Sequence, residues 1–177
     1  MPGPPLRPDA QQWRLTVVPT SRPLDSAPAV VSPDVRDQAL RTLNLYCDLV
    51  DTGHNPIEAF AMECTADYGL RRGPVHGREA LARFFDTNKN VLRHTSHHVS
   101  SVRVHRLDPD GSGVQLRAHV LAWHELTDGR TFDVHGRYDD VLVEENGRLL
   151  IAYRRFRTYG SSDPSFSFAR AERSELV

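Results

Sequence analysis

Three tight turns within the stretch Val91–Thr158 constrain this chain most. Asp108-Pro-Asp-Gly-Ser-Gly113, Thr127-Asp-Gly-Arg130 and Glu145-Asn-Gly-Arg148 each place Asp-Gly or Asn-Gly between apolar, β-branched runs. That pattern is the strongest short-range signal for a β-hairpin. The runs between the turns are Val99–Leu107, Val114–Leu126, Thr131–Val143 and Leu149–Thr158. The cluster Arg93-His94-Thr95-Ser96-His97-His98 leads into the first of them. A four-strand antiparallel meander follows. These strands are long against the usual five or six residues, which predicts a strongly curved sheet with bulges. A curved sheet has a concave side, and a helix, a ligand or both must fill it.

The residues before the meander supply the helices. Ser32-Pro33-Asp34 combines an N-cap serine, a proline at the first helical position and an early acid. Val35, Ala39, Leu43, Tyr46 and Val50 then recur at helical spacing, so a helix should run to about Asp51 and stop at Thr52-Gly53. A short helix is expected through Pro56–Met62, a strand over Cys64–Arg71 and a loop over Arg72–Gly77. A further helix is expected over Arg78–Phe85, with Ala80, Leu81, Phe84 and Phe85 on its buried side.

Seven of the twelve prolines fall within residues 1–31, which excludes a helix there and predicts a disordered arm. Its one apolar island, Trp13–Val18, has the composition to dock on the body or a partner. Residues 32–160 form the expected domain, and 161–177 a polar tail. A chain of 177 residues is long enough to bury a core without metals or disulfides.

Composition narrows the function. A net charge of −1 provides no global field for nucleic acid or an anionic membrane. Two cysteines, Cys47 and Cys64, are too few for a disulfide framework and sit in apolar settings. No apolar run approaches the roughly 20 residues of a membrane span, so a cytoplasmic location is expected. Gly-x-Gly-x-x-Gly, P-loop and Gly-x-Ser-x-Gly patterns are absent, as are His-Glu-x-x-His and Cys-x-x-Cys. We therefore expect no cofactor and no metal.

The order helix, short helix, strand, helix, long meander resembles the nuclear transport factor 2-like superfamily, in its SnoaL-like branch of polyketide cyclase and scytalone dehydratase relatives. The resemblance covers residues 34–158. It rests on Tyr46-Cys-Asp-Leu-Val-Asp-Thr-Gly53, Val75-His-Gly-Arg-Glu-Ala-Leu81, His97-His-Val-Ser-Ser101, Gly136-Arg-Tyr-Asp-Asp140 and Gly147-Arg-Leu-Leu-Ile-Ala-Tyr-Arg154. It implies an α+β cone: a curved antiparallel sheet, the meander plus a short strand, wrapped around N-terminal helices with one pocket. It also implies site residues. His97 matches the branch's proton-transferring histidine, and Asp51 the aspartate that orients it. A carboxylate fixes the imidazole tautomer and raises its basicity. The bland alternatives are an exposed acid before a turn and a histidine at a strand entrance. His98 points to the other face of a regular strand. A second histidine is implied on the next strand. His119 and His124 lie there on opposite faces, and His119 fits better by position.

Tyr46, Phe60, Tyr68, Trp123, Phe132 and Tyr138 are candidates to line an apolar pocket, although aromatic residues serve equally as core. Tyr46 or Tyr138 could steady an enolate oxygen. Two functions compete. The first is a cofactor-free dehydratase, isomerase or cyclase acting on a hydrophobic oxygenated molecule such as a polyketide. The second is a non-catalytic binding or assembly subunit, like the small subunit of ring-hydroxylating dioxygenases. A pocket in which Asp51 and His97 meet separates them. Apolar side chains on both faces of the strands, Val114, Leu116 and Val120 against Leu121 and Trp123, further predict a homodimer.

Overall fold

Alternation along the strand Val114–Leu126 decides which face of the sheet is buried. Val114, Leu116, Ala118, Val120 and Ala122 are all buried, whereas His119 and Leu121 between them are exposed. The computed structural model describes residues 31–70, 73–107 and 113–163. The expectations for a disordered arm, for the docking of Trp13–Val18 and for most of the C-terminal tail lie outside these residues. The described residues belong to one unit, Pro28–Ala171.

In chain order the elements are α1 (Pro33–Asp51), a 3-10 turn (Pro56–Ala59), β1 (Phe60–Asp67), β2 (Val75–His76) and α2 (Arg78–Lys89). The meander follows as β3 (Leu92–Arg106), β4 (Val114–Leu126), β5 (Thr131–Glu145) and β6 (Arg148–Ser161). They build one curved six-stranded sheet in the order β2-β1-β6-β5-β4-β3. The meander is antiparallel throughout, and β1 joins its free edge parallel to β6. No helix among the described residues is long and apolar enough to cross a membrane.

Helix α1 starts as its sequence dictates: the Ser32 side chain accepts from the Val35 N–H at 3.3 Å, with proline in the first turn. Ala39, Thr42, Leu43, Tyr46 and Cys47 form its buried stripe. Leu43 is fully enclosed, and removing such a side chain typically costs about 2–5 kcal/mol. The helix ends at Thr52, and Gly53 follows with φ +73°, a conformation open to glycine.

Several boundaries differ from the sequence reading. The short helix is only a four-residue 3-10 turn, because Phe60, Ala61 and Met62 already belong to β1. Phe60 and Ala61 are fully buried, so tertiary packing overrides the weak local helix preference. The expected loop contains β2, whose residues pair with Thr65 and Ala66. Helix α2 continues beyond Phe85 to Lys89.

The expected bulges are present and have a function. In β3 the odd residues Thr95, His97 and Val99 are turned inward, but beyond Ser101 the even residues Val102 and Val104 pack on the core. Ser101 has φ +50° and lies within a register shift, which supplies the extra residue that reverses the alternation. In β5, Gly136 sits at another register shift, and a Cβ there would clash with the Phe156 ring and lie 2.7 Å from the Arg157 carbonyl oxygen.

Candidate active site

The inner face of β3, β4 and β5 meets α1 and α2 around a cavity of about 670 Å³. Asp51, the last residue of α1, reaches it from the helix end; Thr95 and His97 reach it from the start of β3. The Asp51 carboxylate takes three hydrogen bonds from that strand. The His97 backbone N–H donates to Oδ2 at 2.7 Å, the His97 Nδ1 lies 2.6 Å from Oδ1, and the Thr95 hydroxyl donates to Oδ1 at 2.8 Å. Burial pushes the Asp51 carboxyl up, but the bonds from His97 and Thr95 outweigh this and hold it below the usual carboxylate range. An ionised Asp51 can only accept, so Nδ1 carries the proton toward it. That leaves Nε2, on the far side of the ring, as the nitrogen that can take a proton. The His97 side chain is 5% exposed and Asp51 26%, so the pair is shielded yet reachable from the cavity.

Beside this pair sits His124 on β4. Its ring stacks on Phe132 at 4.5 Å and meets His97 edge-on at 6.1 Å. Burial, reinforced by the neighbouring His97, pushes its pKa down to about 4, so it is neutral at pH 7. Its Nδ1 is buried with no hydrogen-bond partner among the described residues.

Three phenols also line the cavity: Tyr46 from α1, whose ring meets His97 edge-on at 6.2 Å, Tyr68 after β1 and Tyr138 from β5. The Tyr46 and Tyr68 hydroxyls are 3.2 Å apart, and the Tyr46 ring meets Tyr138 at 5.8 Å. Burial pushes all three upward, although Arg154 opposes it, so they stay protonated and can donate hydrogen bonds. Val120, Ala122, Phe132, Val134 and Phe156 add an apolar stretch of wall.

Of the residues expected in the pocket, Asp51, His97, Tyr46, Tyr68, Phe132 and Tyr138 are there. Three expectations are corrected. His119 lies on the outer face of β4, exposed and 5.8 Å from the Tyr159 ring, because it shares its alternation with Gln115, Arg117 and Leu121. Trp123 shares that outer face and is half-buried. Phe60 is core rather than wall: it packs edge-on behind Tyr46 at 6.0 Å. His98 is exposed on the outer side of β3, with Nε2 3.2 Å from the Ser96 hydroxyl. Sequence reasoning preferred His119 to His124 and gave Thr95 no role. The signal for His124 was present: it continues the unbroken apolar alternation Val114, Leu116, Ala118, Val120, Ala122. Among the described residues no three His, Cys, Asp or Glu side chains converge to hold a metal ion.

The SnoaL-like domain matches residues 34–155, from the start of α1 into β6. The chain belongs to the SnoaL-like family. Solved structures share the SnoaL-like fold at low identity. A candidate scytalone dehydratase from Novosphingobium aromaticivorans is 24% identical over 78% of this chain and 96% of that one, with a TM-score of 0.70. A candidate aromatic ring hydroxylase from the same species is 18% identical over 74% and 93%, with a TM-score of 0.68. A hexachlorocyclohexane dehydrochlorinase from Novosphingobium barchaimii is 10% identical over 78% and 96%, with a TM-score of 0.65. Among curated proteins none matches the chain.

Proposed function

We propose that this SnoaL-like chain is a cofactor-free acid–base enzyme of the dehydratase or isomerase type. Its substrate is a hydrophobic, oxygenated molecule with a C–H bond beside a carbonyl. The observation that carries this reading is the 2.6 Å contact between Asp51 and the His97 Nδ1 on the wall of an apolar cavity. Burying an unpaired imidazolium is costly; Asp51 compensates it, so His97 can accept a proton and later return it.

The steps follow from the geometry. His97 Nε2 removes the proton next to the carbonyl, and the C–H electrons move to the carbonyl oxygen. The protonated phenols of Tyr46, Tyr68 and Tyr138 supply hydrogen bonds to that developing charge. In a dehydration the electrons return, the C–O bond at the next carbon breaks, and imidazolium His97 gives its proton to the departing hydroxide. One water leaves and His97 is regenerated. His124, held neutral, provides a polar group beside His97 for the leaving oxygen. In an isomerisation the same histidine returns the proton to a different carbon. The known structures of this fold carry names of both elimination enzymes and a hydroxylase, so the choice rests on the residues of this chain.

The test uses 3-hydroxy-1-tetralone, a β-hydroxy ketone that becomes 1-naphthol when it loses water. We expect the wild type to accelerate naphthol formation. His97→Ala should lose about 10²–10⁴-fold, the usual worth of a positioned acid–base group. Binding of the ketone without acceleration would instead identify a ligand-binding module.

A further inference from the structure

The cavity has two chemically distinct ends. Its depth is aromatic and apolar, whereas the residues 88–95 and the turn after α1 bring Lys89, Arg93, His54 and His94 to its wall. Lys89 is the chain's single lysine, in the last turn of α2; Arg93 and His94 open β3. Among the described residues Asp51 is the one carboxylate on the cavity wall, and its oxygens are already bound by Thr95 and His97. An anion entering this end therefore meets two cations on the cavity wall, and the carboxylates paired with them lie outside it.

Each cation has one carboxylate partner, held loosely. Lys89 Nζ lies 3.6 Å from Asp86 and Arg93 Nη1 lies 3.5 Å from Glu125. Both distances exceed the roughly 2.7–2.9 Å of a tight charge-assisted bond. Neither Asp86 nor Glu125 lines the cavity. An ammonium has three donors and a guanidinium five, so each cation keeps donors for a ligand. The side chains of Lys89 and Arg93 are 36% and 61% exposed, so both are open to a ligand from solvent.

We propose that the substrate of this site is an anion: a hydrophobic ring system ending in a carboxylate that Lys89 and Arg93 hold at the entrance. This rests on the reading of the cavity as a substrate site and adds the substrate's charge. Arg93 and His97 are four positions apart, roughly 13 Å of extended strand. The carboxylate therefore sits at the opposite end of the molecule from the reacting carbon, which places the ligand at bicyclic size or longer. The arrangement also gives polarity to binding, since the apolar end enters first and the charge stays at the wet rim.

The experiment is isothermal calorimetry with two matched probes, 2-naphthoxyacetate and its neutral isostere 2-naphthoxyacetamide. They share the ring and the length and differ in charge. The wild type is expected to bind the carboxylate about 10-fold tighter at low salt, with the preference shrinking as salt screens the rim. The double variant K89Q/R93Q is expected to bind both probes at the amide's wild-type affinity. Unchanged amide binding doubles as the control for a folded cavity. Equal binding of the two probes by the wild type overturns the proposal, as does a carboxylate preference that survives in K89Q/R93Q. Failure of both probes to bind overturns it as well. Because the readout is binding, the outcome is separate from whether 3-hydroxy-1-tetralone is turned over.

Discussion

Asp51 and Asp140 each take two hydrogen bonds from one basic residue, but the two carboxylates sit in opposite surroundings. Asp51 lies on the cavity wall with His97. Asp140 is sealed on the inner face of β5, where Arg154 of β6 donates from Nε at 2.9 Å and from Nη2 at 2.6 Å. Arg154 and Asp140 have side chains 0% and 1% exposed. The guanidinium is held between two rings of the tyrosine cluster, 3.9 Å from the centre of Tyr46 and 4.1 Å from that of Tyr138. Burial works against the Arg154 charge, but Asp140 more than offsets it and holds the guanidinium well above its usual range. The guanidinium keeps its proton near neutrality. It is a fixed prop behind the phenols. Replacing the arginine with a histidine, and sealed core with a cavity wall, turns the same attraction into a proton store. The difference lies in the partner's ability to titrate and in access from the cavity, not in the length of the hydrogen bonds.

The largest expected effect separates the pairs by stability. Arg154→Met should destabilise the fold by about 3–5 kcal/mol, because it leaves a buried carboxylate uncompensated. Asp51→Asn should cost no more than about 1 kcal/mol, since the carboxylate is partly exposed. Urea unfolding with an unchanged slope measures both. Equal losses would remove the contrast.

A smaller effect is expected from pH. His124 has a folded pKa of about 4 against 6.5 for the free side chain. Between those values the unfolded chain binds more protons, so stability is full above pH 6.5 and falls as pH drops toward 4. Asp51, also lowered, contributes stability above the ordinary carboxylate value of 3.8 and loses it at still lower pH. Arg154 contributes no slope in this range. His124→Phe should flatten the profile of melting temperature between pH 6.5 and 4. An unchanged slope would show that another group is responsible.

The smallest effect sharpens the geometry of the cavity pair. Thr95→Val removes one of the three hydrogen bonds to Asp51, worth about 0.5–1.5 kcal/mol. Turnover should fall roughly 3- to 10-fold, with Thr95→Ser restoring most of it. Loss as large as that of His97→Ala would mean that Thr95 itself acts on the substrate.

The two regions were unequally legible in the sequence. The meander was plain, because Asp-Gly and Asn-Gly turns fix hairpins locally; β4 spans Val114–Leu126 in both the sequence reading and the structure. The contact of Asp51 with His97 spans 46 residues, and no local pattern encodes it; the family resemblance brought the two together. The Asp140–Arg154 pair was hidden, because both residues look like the polar half of an alternating strand. Arg154 follows Ala152 and Tyr153 beyond a register shift between Val141 and Leu142, and a bulge reverses the apparent face of all that follows. His119 was mistaken for a different reason. Its position suggested the pocket, but its face is the polar one, with Gln115 and Arg117.

The central claim is that Asp51 and His97 act as one proton-transfer unit, and a double-mutant cycle tests it most directly. Dehydration of 3-hydroxy-1-tetralone is followed in the wild type, Asp51→Asn, His97→Ala and the double variant. Residues that act as a unit are strongly non-additive. The double variant should be little slower than His97→Ala alone. Losses that multiply would show two independent contributions and contradict the account.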